Sequence, residues 1–144
     1  QLKLWENLSI ETMGPVVYRK HLVPLYNKIL DILEGHDKRV SVHYDGQLRI
    51  IADDIAELDF DGIDSFTEAP EGNVSLEEAR AWWPEKVLWI HPNLGLYHNL
   101  DTLPGEIRRL RKAAGDTRSC YMISEEIPPQ WEKTIPAILK TLEE

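Results

Sequence analysis

The chain holds a single cysteine, Cys120, among its 144 residues. One thiol excludes an internal disulfide and fits a reducing, cytoplasmic compartment. Long hydrophobic runs are missing as well: no stretch approaches the ~20 apolar residues that a membrane span requires, and there is no basic, apolar leader. Positive charge is scarce, with 16 Lys and Arg against 25 Asp and Glu and a formal net charge of −9. A surface of that sign repels phosphate backbones and anionic lipid, so neither nucleic acid nor a membrane is an expected partner. No Gly-x-Gly-x-x-Gly or phosphate-loop pattern follows any strand-like run, which weakens a nucleotide-binding reading.

What is present is an ordinary globular composition, 42% hydrophobic and 28% charged. It suffices for one core and falls short of two domains. The chain starts at Gln1 rather than Met, and we read 1–144 as a single partial domain of something longer. Short β-type runs recur at 39–43, 62–66, 86–91 and 118–123, with a fifth at 2–5. Amphipathic stretches separate them. Pro15 opens the first and Gly35 closes it, and Pro24 in its middle predicts a kink or a break. Ser75-Leu76-Glu77-Glu78 has the form of a capping box, and Pro84 stops the helix it starts. Pro104 begins another that ends at Gly115. The last runs from about Gln130 to the C-terminus, with Pro136 as a kink or second start. Strands alternating with helices five times predict an α/β protein with a parallel sheet. A doubly wound domain of five strands and part of a (β/α)₈ barrel both fit this pattern.

In either architecture function gathers at the C-terminal strand ends. Those ends carry Glu6 and Asn7, then His43 and Asp45, then Thr67 and Glu68, then His91 and Asn93, then Ser124, Glu125 and Glu126. In extended backbone His43 and Asp45 leave the strand on the same side. Imidazole and carboxylates converging on one cavity suit a divalent metal, zinc first, with His43 binding through a ring nitrogen and Asp45, Glu68, Glu125 or Glu126 through oxygen. Glu6, Asn7 and Glu68 are the candidates for catalysis, since carboxylates alone serve as general acid and base. The structural alternatives are plain ones: a local His43–Asp45 ion pair before an Asp-Gly turn, a satisfied strand-end His91, and a solvated turn at Glu125-Glu126. Trp82, Trp83, Trp89 and Trp131 read as packing residues. Arg108-Arg109-Leu110-Arg111-Lys112 reads as a solvated basic face with a surplus of charge for an anionic partner.

The order of these motifs is similar to the C-terminal part of the uroporphyrinogen decarboxylase-like superfamily. Leu4-Trp5-Glu6-Asn7-Leu8-Ser9 followed by Met13-Gly14-Pro15 and Leu22-Val23-Pro24-Leu25-Tyr26 resembles its fourth-strand region. His43-Tyr44-Asp45-Gly46 resembles the His-x-Cys-Gly of its corrinoid and coenzyme M methyltransferase branch. Phe60-Asp61-Gly62-Ile63-Asp64 resembles its Gly-x-Asp strand, and Ile90-His91-Pro92-Asn93-Leu94-Gly95 its Gly-Asn-Leu tip. Ile127-Pro128-Pro129-Gln130-Trp131 stands where the family has a proline turn before its last helix. The resemblance implies about five βα units of a (β/α)₈ barrel, completed by an N-terminal half. It implies an enzyme of metal-dependent methyl transfer between a corrinoid, carried by a partner protein, and a thiol. Porphyrinogen decarboxylation and a non-catalytic interaction fragment are the alternatives. Decarboxylases place a serine near Asn7 and a histidine near Met122, and neither is present. The methyltransferase branch binds zinc through His, the Cys of His-x-Cys and a late Cys near Met122. Here the histidine is His43, the first Cys is replaced by Asp45, and Met122 or the nearby Cys120 stands for the second. As it stands the chain is expected to be inactive and to self-associate.

Overall fold

The computed structural model describes residues 1–92, 94–115, 120–122, 127–128 and 130–144, with the backbone alone for Asn7, Leu94, Leu96, Tyr121 and Met122. Five strands form: β1 (Leu2–Leu8), β2 (Val40–Tyr44), β3 (Gly62–Phe66), β4 (Val87–Ile90) and β5 (Cys120–Met122). All neighbours pair in parallel, in the order β1-β2-β3-β4-β5. Each strand therefore lies beside its successor, and the reversal of order that defines a doubly wound sheet does not occur. The chain is α/β with an all-parallel sheet and flanking helices. The expected strand positions hold, and β1 extends three residues beyond the predicted 2–5.

The helices are α1 (Ile10–Met13), α2 (Pro15–Val17), α3 (Val23–Leu33), α4 (Ala52–Glu57), α5 (Leu76–Trp82), α6 (Leu103–Ala114) and α7 (Trp131–Glu143). Pro24 does not break the first stretch, which is continuous from Pro15 to Leu33. A π-helical turn at Tyr18–Leu22 precedes α3, and the Val23 N–H reaches back five residues to the Tyr18 carbonyl. Proline lacks the N–H for the ordinary ladder, and the wider turn makes room for its ring. The capping box at Ser75 forms in both directions. Helix α7 runs through Pro136 without a second start. Helix α4 carried no recognised signal in the sequence: it has six residues, of which only Ile55 is buried.

One face of the sheet carries the core. Val40, Val42, Tyr44, Ile63, Leu88, Ile90 and Cys120 point from the strands to Tyr26, Ile55, Leu76, Ala79, Leu110 and Ala114 of α3, α4, α5 and α6. Burying these side chains supplies the main driving force, about 1.5–3 kcal/mol for each large one. Within this layer Tyr18, Tyr26, Tyr44 and Phe60 form a ring cluster with centroids 5.9–6.5 Å apart. Trp83 packs edge-on against Phe66 and donates from Nε1 to the Ala52 carbonyl at 3.0 Å. The opposite face presents Lys3, Trp5, Ser41, His43, Asp64 and Trp89. Two irregularities interrupt the strand pairing. The β1–β2 register shifts between Leu4 and Leu8, and the β3–β4 register shifts between Ile63 and Phe66, where Ser65 takes φ 65°. The second shift returns Phe66 to the helix side, where Trp83 waits.

Lys86, just before β4, is buried, and its Nζ donates to the carbonyls of Leu58 at 2.5 Å and Phe60 at 3.0 Å. Burial pushes its pKa below the ordinary range, against the pull of Asp59 and Asp61. Lys86→Met keeps the apolar stem and leaves both carbonyls without their donor. The expected net loss is about 1–3 kcal/mol, read as a lower urea midpoint at unchanged slope.

Candidate functional site

On the face that the described helices leave uncovered, side chains from three strands converge. His43 on β2 is paired in register with Asp64 on β3. Its ring Nδ1 lies 3.1 Å from Asp64 Oδ2. Lys3 on β1 forms its ion pair with that same oxygen. The Lys3 ammonium also sits 3.4 Å from the centre of the Trp5 ring, and this ring stacks on His43 with centroids 5.2 Å apart. His43 and Asp64 are only 5% and 4% exposed, although no helix among the described residues covers them. The polar row continues through Ser41, whose Oγ accepts from Gln1 Nε2 at 2.9 Å. Trp89 bounds it from β4. The Trp89 ring lies across Gly62, where an added Cβ would stand 2.7 Å from Cζ3, so only glycine fits beneath it. Gln1, Lys3, Ser41, Asp64 and Trp89 line a cavity of about 230 Å³.

The chemistry follows from the acceptor. An ionised carboxylate accepts hydrogen bonds and gives none, so the His43 nitrogen facing Asp64 carries a hydrogen. The neutral ring then presents Nε2 as a base, and the carboxylate fixes its orientation.

The other expected residues lie elsewhere. Glu6 sits beside Tyr26, which belongs to the helix-facing core, and its Oε2 accepts the His43 backbone N–H at 3.2 Å. It fills an acceptor position that the irregular β1–β2 ladder leaves open. Asn7 belongs to β1, and its side chain lies outside the described residues. Asp45 is half-buried at the loop that follows β2, while the imidazole partner seen for His43 is Asp64, one strand over. Glu68 is a structural anchor: it accepts the Leu76 N–H at 2.7 Å and takes both terminal nitrogens of Arg109. His91 donates its backbone N–H to Phe66 at 2.8 Å, and its side chain lines a second cavity, of about 280 Å³, with Glu68, Glu106 and Arg109. Asn93, Ser124, Glu125 and Glu126 lie outside the described residues.

Three expectations change. The basic stretch of α6 has little charge left for an anionic partner. Arg108 pairs with Glu144, Arg109 with Glu68, Glu77 and Glu106, and Arg111 donates to the Leu142 carbonyl. Trp89 lines the open face instead of packing under helices, and Trp131 is half exposed. Cys120 belongs to the helix-facing core, with its thiol toward the Ala114 carbonyl and its pKa raised by burial. It is on the wrong side of the sheet to join His43.

A divalent metal was the cofactor implied for this site. Among the described residues no group of three or more His, Cys, Asp or Glu side chains is placed to hold one. His43 offers a single nitrogen, and Glu68 is held by Arg109. Glu125 and Glu126, the remaining ligands expected, lie outside the described residues, and no step below passes through a metal. No family model and no curated protein matches the chain.

Sequence reasoning missed Asp64 as the partner of His43 and Lys3 as the partner of Asp64. The available signal was the parallel alignment of three short strands, with Ser41 and His43 of the second on one parity.

Glu6 supplies a pH test of the β1–β2 junction. Burial pushes its carboxyl above the ordinary 4.5, with the neighbouring Tyr26 and the His43 amide opposing. Its Oε1 and the Tyr26 hydroxyl are both buried without a hydrogen-bond partner among the described residues. A raised carboxyl contributes stability that is fully present below its unfolded pKa and lost as pH rises through the folded one. Glu6→Gln keeps the shape without the charge. Its urea midpoint is expected to fall less than that of the wild type between about pH 5 and about pH 8; parallel curves would show that the carboxyl is not held in a desolvated place.

Proposed function

We propose that this chain is part of a (β/α)₈ barrel enzyme of the uroporphyrinogen decarboxylase-like superfamily and supplies its reactive base, His43. The carrying observation is the buried His43–Asp64 pair on the sheet face that no described helix covers. The sequential strand order supports the barrel: a sheet wound in one direction, extended by further βα units, turns its helix-free face inward. A polar inner wall with an imidazole at the C-terminal half of the strands is where such enzymes keep their chemistry.

Among reactions that the resemblance implies, methyl transfer to a thiol suits this geometry. Nε2 of His43 takes the thiol proton, and the imidazolium that forms is stabilised by Asp64 Oδ2. The thiolate sulfur attacks the methyl group, a carbon–sulfur bond forms, and the bond from the methyl to its donor breaks with the electron pair leaving on the donor. A corrinoid borne by a partner protein is the donor class expected. Porphyrinogen decarboxylation finds less support, since the serine and histidine of that branch are missing.

The test uses the intact protein, with methylcobalamin as donor and 2-mercaptoethanesulfonate as acceptor. His43→Gln is expected to lower the transfer rate by about 100- to 10,000-fold, with the fold retained by circular dichroism. An unchanged rate, or turnover of uroporphyrinogen by the wild type, would overturn the assignment.

A further inference from the structure

Half of the large apolar side chains exposed among the described residues stand together on one outer surface. Val16, Val17, Leu25 and Ile32 lie on the helix that runs from Pro15 to Leu33, and Ile50 lies at the entry to α4. Arg19 ties the two elements together. Its Nε meets both oxygens of Asp54 at 3.0 Å, and its Nη2 donates to the Ile50 carbonyl at 3.1 Å. Along the helix Val17, His21, Leu25, Lys28 and Ile32 recur at steps of three and four, all exposed, while Tyr18 and Tyr26 turn inward. A helix that serves only its own core is apolar on one side, and this one carries a second apolar stripe. Single exposed apolar residues call for no explanation, but a cluster of five marks an interaction site.

The charges beside the stripe decide what fits it. On the long helix the exposed Lys20, His21 and Lys28 outnumber Asp31, while on α4 the exposed Asp53 and Glu57 follow Ile50 at steps of three and four. Lys20, Lys28, Asp53 and Glu57 make no ion pair among the described residues. The surface is therefore two strips side by side, one apolar and basic, the other apolar and acidic. A partner of one sign would match one strip and be repelled by the other. The surface that matches both is its own copy, turned over about a two-fold axis that runs between α3 and α4. We propose that two copies of this chain pair through this surface, with Lys20 and Lys28 of each over Asp53 and Glu57 of the other. The apolar residues supply the affinity, and the charges fix the orientation. The net charge of −9 opposes the approach of two copies. At physiological ionic strength that repulsion is screened beyond about 8 Å, whereas charges brought into contact are screened much less. This pairing is separate from any at the open sheet edges and does not depend on the reading of His43 as a base.

Sedimentation velocity of the full chain at physiological salt is the test. The wild type is expected to sediment as a dimer, and a monomer would overturn the proposal. Lys20→Glu with Lys28→Glu, and separately Asp53→Lys with Glu57→Lys, place like charges opposite one another. Each double variant is expected to dimerise at least about 100-fold more weakly, with its fold retained by circular dichroism. Mixing the two variants sets opposite charges together at both contacts, and a mixed dimer is expected. A single chain carrying all four substitutions is likewise expected to pair with itself. Association that ignores these substitutions, as pairing through the open sheet edges would, overturns the assignment, and so do variants that stay monomeric when mixed. All four positions are exposed, and recovery on mixing separates a lost contact from a lost fold.

Discussion

Everything in this structure depends on the handedness of the connection between parallel strands. A crossover between neighbouring parallel strands is right-handed in nearly all proteins, so its direction of travel decides which face it covers. The order β1-β2-β3-β4-β5 takes four such steps in one direction. The helices of those crossovers then land on the same side, and the apolar side chains must follow them there. The other face is left to residues that a helix would have excluded. Lys3, Ser41, His43 and Asp64 occupy it because no apolar layer has to be seated on them.

Such a division demands strict alternation along each strand, and the two places where the pairing is irregular are informative. In β3 the left-handed Ser65 inserts an extra residue between Asp64 and Phe66. Without it, Asp64 and Phe66 would share a face, and either the carboxylate would enter the core or the phenyl ring would leave it. A non-glycine residue in this conformation costs about 1–2 kcal/mol, less than the loss of a buried aromatic ring, roughly 3–5 kcal/mol. In β1 the shift between Leu4 and Leu8 brings Leu8 to Tyr44, while Glu6, of the same parity as both leucines, lies on the helix side beside Tyr26. Both irregularities lie at the C-terminal strand ends, beside His43, so the sheet departs from regularity where the candidate site stands.

Local chemistry was legible in the sequence, and long-range alignment was not. Gly62–Phe66 and Val40–Tyr44 could be read from short β-branched runs bounded by Asp and Gly, and the Ser75 cap from its spacing alone. Pro24 announced a disturbance, though a proline by itself does not say whether the helix breaks or widens. The Glu68–Arg109 pair spans 41 positions and the His43–Asp64 pair 21. No local pattern joins such residues, because the distance between them is set only once the register of two strands exists. Glu6 is a different case: its residue type suggested an acid at a strand tip, whereas its parity with Leu4 and Leu8 sends it to the helix side.

The change of partner from Asp45 to Asp64 has a geometric cause. Residues two apart on one strand face the same way but are separated by about 6.6 Å along it. In-register residues on neighbouring strands are about 4.8 Å apart, near enough for an imidazole nitrogen to meet a carboxylate. A His-x-Asp at a strand end is therefore weak ground for a hydrogen-bonded pair, whereas His on one strand and Asp in register on the next is strong ground. The consequence reaches the chemistry, because Lys3, His43 and Asp64 are each delivered by a different βα unit. A slip of one residue in either pairing would turn one of the three into the core. The register that separates apolar from polar faces thus also assembles the site, and it cannot be lost in one role and kept in the other.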